Sequence, residues 1–386
     1  MKIVHLCLAA RYADGYAYQE NMLPKYHRLL GYDVEIIASL ETFDRNGKPA
    51  VYNGPLSYNN EDAIKVKRLL YKKPIRLYRR LRRYTGLKEA LKNSNADILF
   101  VHNCQFRDIS VVIWYINQYH PIKIYVDNHA DFANSASGWI SKNILHKIIW
   151  KRCAQSIEPY TTLFYGVLPA RVDFLKQTYG LPVNKCKLLV MGADDILVEK
   201  AQSSGLRGIN RLKHSIREDD FLVVTGGKIN KNRPETLDLM RAIKEINRNN
   251  VKLLVFGVVD DAYQQEFETL CAHPSIIYIG WIKSEDTYGY FSAADLVVFP
   301  GLHSVMWEQA VAQGKPCIFR DLEGFHHVDI GGNADFVRDV SVNGVKEALL
   351  KVIDDPDHYQ EMKTVAEEKG MNTFSYRNIA RRSIEE

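Results

Sequence analysis

The sequence has 386 residues, of which 46% are hydrophobic and 25% are charged. This composition supports a proper core and excludes disordered, fibrous and small disulfide-stapled proteins, and the length predicts two mid-sized domains or one large domain. No uncharged run exceeds 14 residues, which is short of the roughly 18–20 residues that a membrane-spanning helix needs. Six widely spaced cysteines without a CxxC pair are typical of a reduced, cytoplasmic protein.

The positive charge of the chain is concentrated in one segment. The formal net charge is +5, and residues 65–83 alone hold ten Lys and Arg and no acidic residue. Apolar residues at helical spacing over 75–91 predict a surface helix. Two interpretations stay open: a solvated basic face, or a surface that binds an anionic membrane or a phosphorylated acceptor. No nucleic-acid-binding motif accompanies the segment, so no nucleic-acid partner is predicted.

Short apolar runs alternate with helical patterns along almost the whole chain. Strands are predicted at 2–8, 33–39, 97–102, 122–127 and 187–191, and then at 221–225, 252–256, 276–279, 296–299 and 316–319. Helices are predicted at 18–30, 105–118, 168–179, 234–248, 261–271, 284–293, 305–313 and 343–354. Apolar strands separated by helices predict parallel sheets that are covered on both faces. The break at 192–211 contains three glycines and predicts a linker between two doubly wound domains.

The segment that follows the strand 221–225 carries cations beside a helix start. Gly227, Lys228 and Arg233 lie between the strand and a helix that begins near Pro234. Ligands of parallel sheets bind beyond the carboxyl ends of the strands, and two cations at a helix N-terminus are typical of an anion site for a diphosphate. The alternative is a surface turn with solvated cations.

A second candidate segment follows the strand 296–299. The loop residues His303, Ser304 and Val305 lead into a helix that carries Glu308. The amides of its first turn can bind a phosphate, and a carboxylate there can accept a pair of ribose hydroxyls. The alternative is a structural glutamate that the helix dipole stabilises.

Polar residues also follow three predicted strands of the first half. A histidine between two carboxylates at such a position is better placed than most to contact a substrate. Motifs of serine hydrolases, zinc enzymes and classical dinucleotide oxidoreductases are absent from the sequence. The residues are Asp14, Gly15 and Tyr16, then His102 and Asn103, and then His129 between Asp127 and Asp131.

Over nearly its whole length, the chain resembles the retaining GT-B glycosyltransferases of family 4. Gly227, Lys228 and Arg233 resemble the family's phosphate clamp G-R-L-x-x-x-K, with the two cations exchanged. Residues 308–316, EQAVAQGKP, resemble its E-A-M-A-x-G-x-P. One position departs from the pattern, because Pro300 stands where the family has a glutamate that contacts the hydroxyls of the donor sugar.

The resemblance implies a GT-B fold, in which two doubly wound, Rossmann-like α/β domains face each other across a cleft. Residues 1–195 are expected to form an N-terminal acceptor-binding domain and residues 196–372 a nucleotide-sugar-binding domain. Residues 373–386 are expected to form a helix that crosses back to the first domain.

The resemblance also assigns roles to single residues. His129, Lys228 and Arg233 are expected to be catalytic, with His129 beside the donor sugar. Donor contacts are expected from Gly15, Gly227, Lys228, Arg233, Gly280, Ile282, His303, Ser304, Val305 and Glu308. Acceptor contacts are expected from Asp14, Tyr16, His102, Asn103 and Asp131.

The implied reaction moves a hexose-type sugar, with retention, from a UDP- or GDP-linked donor to a saccharide or a polyprenyl-linked acceptor in surface polysaccharide or glycolipid synthesis. No cofactor and no metal are expected, since protein cations hold the diphosphate. The expected location is the cytoplasm or the inner face of the cytoplasmic membrane. Two alternatives stay open: a nucleotide-sugar epimerase that uses Asp127 and Asp131 as acid and base, and a non-catalytic partner of an active transferase.

Overall fold

The computed structural model describes residues 1–44, 48–119, 121–131, 139, 141–231 and 234–385. The chain divides into two compact units: unit 1 is Met1–Met191 together with Ile379–Glu386, and unit 2 is Gly192–Asn378. The chain thus leaves unit 1 once and returns to it. The sequence-based domain boundaries, after residues 195 and 372, lie a few residues away from this division.

Unit 1 is built on an eight-stranded sheet with the strand order β10-β9-β8-β7-β1-β2-β6-β5. All neighbours in it pair in parallel except β5, which runs antiparallel to β6. A separate antiparallel pair is formed by β3 and β4. The strands are β1 (Lys2–Cys7), β2 (Asp33–Ala38), β3 (Glu41–Phe43), β4 (Pro49–Val51), β5 (Ser57–Asn59), β6 (Lys65–Arg68), β7 (Ile98–His102), β8 (Lys123–Asn128), β9 (Leu163–Gly166) and β10 (Cys186–Leu188).

The central strands of this sheet are apolar because helices cover both of its faces. All five residues of β7 are buried, as are five of the six residues of β1. The helices of unit 1 are α1 (Gln19–Leu29), α2 (Ile75–Leu81), α3 (Leu87–Ser94), α4 (Ile109–Gln118), α5 (Lys151–Ile157) and α6 (Pro169–Gln177), with a π-helix at Ser141–Trp150 and short 3-10 turns at Glu158–Tyr160 and Val183–Lys185.

Unit 2 is built on a six-stranded sheet with the strand order β13-β12-β11-β14-β15-β16, in which every pair is parallel. This is the doubly wound order, with the strand sequence reversing between β11 and β14. The strands are β11 (Phe221–Ile229), β12 (Val251–Val259), β13 (Ile276–Tyr278), β14 (Leu296–Phe299), β15 (Cys317–Arg320) and β16 (Ala334–Val337).

The helices of unit 2 bury apolar faces against this sheet. In α9, for example, Leu237, Met240 and Ile243 follow helical spacing and are buried. The helices are α7 (Asp195–Ser203), α8 (Leu206–Lys213), α9 (Glu235–Ile246), α10 (Gln264–Cys271), α11 (Thr287–Ala293), α12 (Met306–Ala312), α13 (Val342–Ile353) and α14 (Pro356–Phe374), with 3-10 turns at Asp261–Tyr263 and His326–Val328; α15 (Tyr376–Arg382) leads from unit 2 back into unit 1.

The returning segment is anchored in unit 1 by hydrogen bonds that its backbone carbonyls accept. The hydroxyl of Tyr125 on β8 donates to the carbonyl of Ile384 at 2.8 Å, and the hydroxyl of Tyr165 on β9 donates to the carbonyl of Arg382 at 3.2 Å. Ile379 and Ala380 are fully buried.

Most of the predicted strands and helices are confirmed, but six strands were missed and the predicted linker is wrong. The missed strands are each three or four residues long and are β3, β4, β5, β6, β9 and β16. Residues 192–211 fold largely into α7 and α8 instead of an open linker, and Gly205 stands at the left-handed position between the two helices.

The predicted helix over 75–91 is also wrong as a continuous element. It breaks into α2 and α3 because Arg82 adopts a left-handed backbone with φ 54° and Tyr84 forms an isolated bridge with Tyr71. The basic residues 65–83 therefore span a strand, a loop and α2.

Many of these cations form ion pairs or ring contacts within unit 1. Arg68 is buried, with its guanidinium over the ring of Tyr52, and Arg79 pairs with Glu41 at 2.6 Å. Further ion pairs join Lys65 to Glu35, and Lys72 and Arg83 to Asp108.

No described helix combines the length and apolar character needed to span a membrane.

Candidate functional site

Each unit presents candidate residues at the carboxyl edge of its own sheet, beside the point where strand order reverses. In unit 1 that point lies between β1 and β7, and in unit 2 it lies between β11 and β14. Ligands of doubly wound sheets bind in the crevice outside this edge.

In unit 2, glycines let β11 and β12 approach closely at this edge. A side-chain Cβ on Gly257 would lie 1.8 Å from the carbonyl oxygen of Gly227, and one on Gly226 would lie 2.3 Å from the ring of Phe256. Lys228 follows at the end of β11 and is exposed. Arg233, the second predicted cation, lies outside the described residues.

Glu308 departs from its expected role. It is fully buried in α12, and its carboxylate accepts hydrogen bonds from Nε2 of His303 at 2.9 Å and Nε2 of His327 at 2.8 Å. Burial raises the pKa of this carboxyl, but the two imidazoles outweigh burial and lower the pKa to about 2. The ribose contact expected of Glu308 is not available in this arrangement, because its side chain is fully buried beside the two histidines.

The other predicted donor residues of unit 2 lie near the surface. Ser304 and Val305 are partly exposed at the start of α12, where the carbonyl of Ser304 accepts a hydrogen bond from the amide of Trp307 at 3.0 Å. Gly280 has φ 76°, and its carbonyl accepts from the amide of Gly257 at 2.8 Å; Ile282 is partly exposed.

In unit 1 the predicted residues of β7 and β8 form one buried cluster. Asp127 accepts a hydrogen bond from His102 Nδ1 at 2.7 Å and one from the amide of Asn103 at 3.1 Å. The side-chain oxygen of Asn103 accepts the amide of His129 at 2.9 Å. Asn103 itself holds a left-handed backbone with φ 64°, a conformation that asparagine tolerates better than most residues. His102 and Asn103 thus support the cluster from within and do not present their side chains to an acceptor.

His129 is the partly exposed member of this cluster. Its Nε2 lies 3.4 Å from Asp127 Oδ2 and 4.0 Å from Glu20 Oε1. Burial lowers the pKa of His129, but Glu20 and Asp127 more than offset this and raise the pKa above its ordinary value. In turn, the imidazoles of His102 and His129 hold the pKa of Asp127 well below its usual range despite burial. The geometry therefore favours a cationic His129 beside a carboxylate.

The remaining predicted residues of unit 1 lie in local contacts. The amide of Gly15 donates to Glu61 at 2.7 Å, and Asp14 accepts from the hydroxyl of Tyr58 at 2.8 Å. The ring of Tyr16 stacks on Phe43 with ring centroids 5.3 Å apart, and Asp131 pairs with Arg171 at 3.0 Å.

Three residues that join the unit 1 cluster were missed by sequence analysis: Glu20, His5 and His27. Both histidines are fully buried. His5 sits inside an apolar strand run and His27 on a helix, and nothing local in the sequence marks either as part of a site.

Two groups of side chains bring possible metal ligands together, namely His102, Asp127 and His129, and His303, Glu308 and His327; within each group the ligand atoms lie within 4.8 Å of one another. In both groups the carboxylate already accepts hydrogen bonds from imidazoles.

The family comparison falls on the part of the chain that carries the unit 2 candidates. Residues 220–355 match the family described as glycosyl transferases group 1. This segment contains Lys228, His303, Ser304 and Glu308. The chain matches no functionally curated protein sequence.

Solved structures resemble the chain over nearly its full length. Anabaena HepE, solved in complex with UDP, has a TM-score of 0.68 and 13% identity, covering 99% of this chain and 98% of its own. WaaG, a glycosyltransferase involved in lipopolysaccharide biosynthesis, has a TM-score of 0.67 and 14% identity, with 98% of each chain covered. The UDP-GlcNAc 2-epimerase of Neisseria meningitidis, bound to UDP-GlcNAc, has a TM-score of 0.63 and 12% identity, covering 100% of this chain and 99% of its own. At these identities the likeness concerns the fold, and it confirms the predicted GT-B class.

Proposed function

We propose that the protein is a glycosyltransferase that moves a hexose-type sugar from a nucleoside diphosphate to a hydroxyl of a saccharide or lipid-linked saccharide. The observation that carries the proposal is the position of the family match. Residues 220–355 include both strands that flank the reversal point of unit 2, together with Lys228 and Ser304 at their carboxyl ends. A nucleotide site at that edge is the usual placement in doubly wound sheets.

The leaving group of such a transfer is a diphosphate, so the site must stabilise negative charge as the bond to the sugar breaks. Lys228 and Arg233 supply the cations, and the amides near Ser304 add hydrogen-bond donors. Electrostatic stabilisation of this kind is usually the largest single catalytic contribution. We assign no metal and no cofactor to the reaction. Retention of configuration, as in family 4, belongs to the same proposal.

His129 is assigned to the donor sugar, and Asp14, Tyr16 and Asp131 to the acceptor. In unit 2, Glu308 orients His303 and His327 and does not itself hold ribose. His303 precedes Ser304 directly, and its Nε2 lies 2.9 Å from Glu308 Oε1.

We place the protein in surface polysaccharide or glycolipid synthesis, in the cytoplasm or at the inner face of its membrane. The membrane part of the proposal is supported by α2, where Ile75 and Leu77 are 55% and 50% exposed beside the exposed Arg76 and Arg80. Apolar side chains among cations are typical of segments that lie on an anionic bilayer.

The first experiment is thermal unfolding with UDP, GDP, dTDP and ADP, with CMP for comparison. A ligand at 100 times its dissociation constant stabilises the folded state by about 2.7 kcal/mol. One diphosphate is expected to raise the melting temperature by several degrees and so identify the donor base. No shift with any of them would contradict the proposal and favour a non-catalytic partner protein, for which the proline at position 300 is the motivating departure.

Substitution of the cations tests the chemistry. Lys228→Ala and Arg233→Ala are each expected to lower turnover at least about 10-fold, because each loss removes on the order of 1.4 kcal/mol of transition-state stabilisation. Lys244→Ala, the same charge change at an exposed site near the end of α9, is the control. Near-normal rates in both test variants would contradict the assignment.

A nucleotide-sugar epimerase is the second candidate. It is favoured by the likeness to the Neisseria meningitidis enzyme and by the carboxylates Asp127 and Asp131 around His129. Incubation of the protein with a nucleotide sugar and no acceptor distinguishes the two: an epimerase changes the sugar, whereas a transferase leaves it unchanged apart from slow hydrolysis.

A further inference from the structure

Three buried histidines of unit 1 form a continuous hydrogen-bonded row that ends at the candidate site. His27 Nδ1 lies 3.0 Å from His5 Nε2, and His5 Nδ1 lies 3.0 Å from His102 Nε2. His102 Nδ1 then reaches Asp127 at 2.7 Å. All four side chains are fully buried. The row starts on α1, crosses β1 and β7, and ends on β8, whose Asp127 is shared with His129.

The far end of the row meets the segment that returns from unit 2. His27 Nε2 lies 3.0 Å from the carbonyl oxygen of Ala380 and 3.0 Å from the hydroxyl oxygen of Ser383. The hydroxyl of Ser383 also lies 2.8 Å from the carbonyl of Ala380. It has one proton and can donate it either to this carbonyl or to His27.

A count of protons restricts the states of the row. A carboxylate and a carbonyl can only accept hydrogen bonds. If both ends are such acceptors, the four bonds along three imidazoles require four protons, one more than three neutral imidazoles carry. If Ser383 donates to His27, three protons satisfy the whole row. The row therefore has a neutral form, with Ser383 as the donor, and a cationic form, with His27 donating to Ala380.

The position of the extra proton follows from the surroundings. Burial lowers the pKa of His5 well below its ordinary value, and burial likewise lowers the pKa of His27, to about 4. In the cationic form the extra charge therefore lies at the end of the row beside Asp127, whose carboxylate is 2.7 Å from the nearest ring nitrogen. There it offsets the carboxylate that otherwise favours a cationic His129, 3.4 Å away.

We propose that His5, His27 and His102 are positioning residues that form one proton relay, through which Ser383 sets the charge on His129. In the wild-type protein at neutral pH the row is in its neutral form, so the row places no second positive charge beside Asp127 to weaken its attraction for His129. The consequence for catalysis rests on the proposed function, whereas the relay itself does not. The other titratable or charged groups that act on His129 or Asp127 among the described residues include Glu20 from α1, Arg171 from α6, Cys7 from β1 and Cys104 after β7.

The test is a histidine titration by ¹⁵N NMR on the full chain without nucleotide. Ring nitrogen shifts report both the tautomer and the charge of each imidazole. In Ser383→Ala the carbonyl of Ala380 is the only group that the described part of the chain leaves at His27 Nε2, and this acceptor requires the cationic form for a complete row. The midpoint of His129 is then expected to fall by about one pH unit, the coupling at which two sites titrate as a pair.

Two further variants test whether the effect of Ser383 reaches His129 through His27. Ser94→Ala removes another buried serine hydroxyl of unit 1, which donates to a carbonyl three residues earlier just as Ser383 does, and it is expected to leave His129 unchanged. His27→Phe with Ser383→Ala removes the imidazole that faces Ala380, so the demand for a fourth proton disappears and the wild-type midpoint is expected to return.

An unchanged midpoint in Ser383→Ala would overturn the proposal, and so would a shift that persists when His27 is also replaced. If the double variant does not fold, the comparison of Ser383→Ala with Ser94→Ala still decides. Because no nucleotide is present, failure of the relay leaves the proposed transferase intact. Conversely, a protein that binds no nucleoside diphosphate can still show the expected titration.

Discussion

Glu308 is a carboxylate that the fold withdraws from water and surrounds with two imidazoles. Because its pKa in the folded protein is lowered to about 2, its ionised form contributes stability above the ordinary carboxyl pKa and loses it as the pH falls toward 2. A charge held in this way is strongly destabilising when one partner is removed.

We therefore predict that Glu308→Gln lowers the stability of unit 2 by about 3 kcal/mol at pH 7. The difference from wild type is expected to shrink as the pH is lowered from about 4.5 toward 2. Urea unfolding curves at a series of pH values measure both effects. Glu347→Gln, at an exposed position of α13, should behave as wild type. If the difference in the free energy of unfolding between the variant and wild type stays constant with pH, Glu308 is not an ionised carboxylate bound by imidazoles.

The sequence alone could place Glu308 at the start of a helix but could not show its burial. His327, one of its two partners, lies 19 residues further along the chain, beyond β15. The contacts of the unit 1 cluster were even harder to predict from the sequence. His5 and His102 are 97 residues apart, and His27 and Ser383 are 356 residues apart, so no local pattern could indicate these contacts.

Among the elements, the close approach of β11 and β12 sets the shape of the carboxyl edge in unit 2. Gly257 has φ 131° and leaves no space for a Cβ. We predict that Gly257→Ala lowers the melting temperature by several degrees, since the strands must separate and the backbone is strained as well. Gly208→Ala in α8, where a Cβ meets nothing within 4 Å, is the control and should be neutral or slightly stabilising. Equal melting temperatures in the two variants would contradict this packing.

The basic element α2 yields a prediction of a different kind. Of the ten cations in residues 65–83, several are buried or form ion pairs within unit 1, whereas Arg76 and Arg80 are exposed on α2. We expect the protein to float with vesicles that contain anionic lipid at low salt, and the double variant Arg76→Glu, Arg80→Glu to stay in solution. Lys187→Glu with Lys213→Glu, at exposed sites on other elements, should float as wild type. Absence of flotation by the wild-type protein would remove the membrane from the proposal.

Strands and helices could be predicted from the sequence where the burial of apolar residues alone determines the secondary structure. Apolar runs such as 98–102 and 296–299 are buried strands, and their neighbours with helical spacing are helices, because the pattern and the environment agree. The prediction of secondary structure failed where contacts with distant parts of the chain determine it. The four residues of β6, KVKR, form a strand because β2 and β5 offer partners on both sides. The break at Arg82 depends in part on Tyr84, whose hydroxyl donates to the carbonyl of Leu8.

At the scale of the whole molecule, the alternation of strands and helices predicted two doubly wound sheets, and the strand orders confirm them. The chain enters unit 1 a second time at its end, where Ile379–Glu386 belong to this unit. That segment fills space beside β8 and α1 with buried side chains and accepts hydrogen bonds from Tyr125 and Tyr165.

Removal of residues 379–386 is therefore expected to loosen unit 1 and spare unit 2. Hydrogen exchange followed by mass spectrometry should show faster exchange in β1, β8 and β9, with little change in the strands of unit 2. Removal of residues 385–386 alone should have little effect, because Glu385 is exposed. Equal exchange in the shortened and intact chains would contradict the anchoring role of the segment.

The return of the chain also has a consequence for synthesis. A ribosome completes the sheet of unit 1 early, but Tyr125 must wait for Ile384, which is 259 residues away. During that interval all of unit 2 is made and can fold, while the groove that will receive residues 379–386 is still open to water. Chaperones should therefore bind unit 1 while the rest of the chain is being made. Unit 1 should leave them only after residues 379–386 have emerged from the exit tunnel.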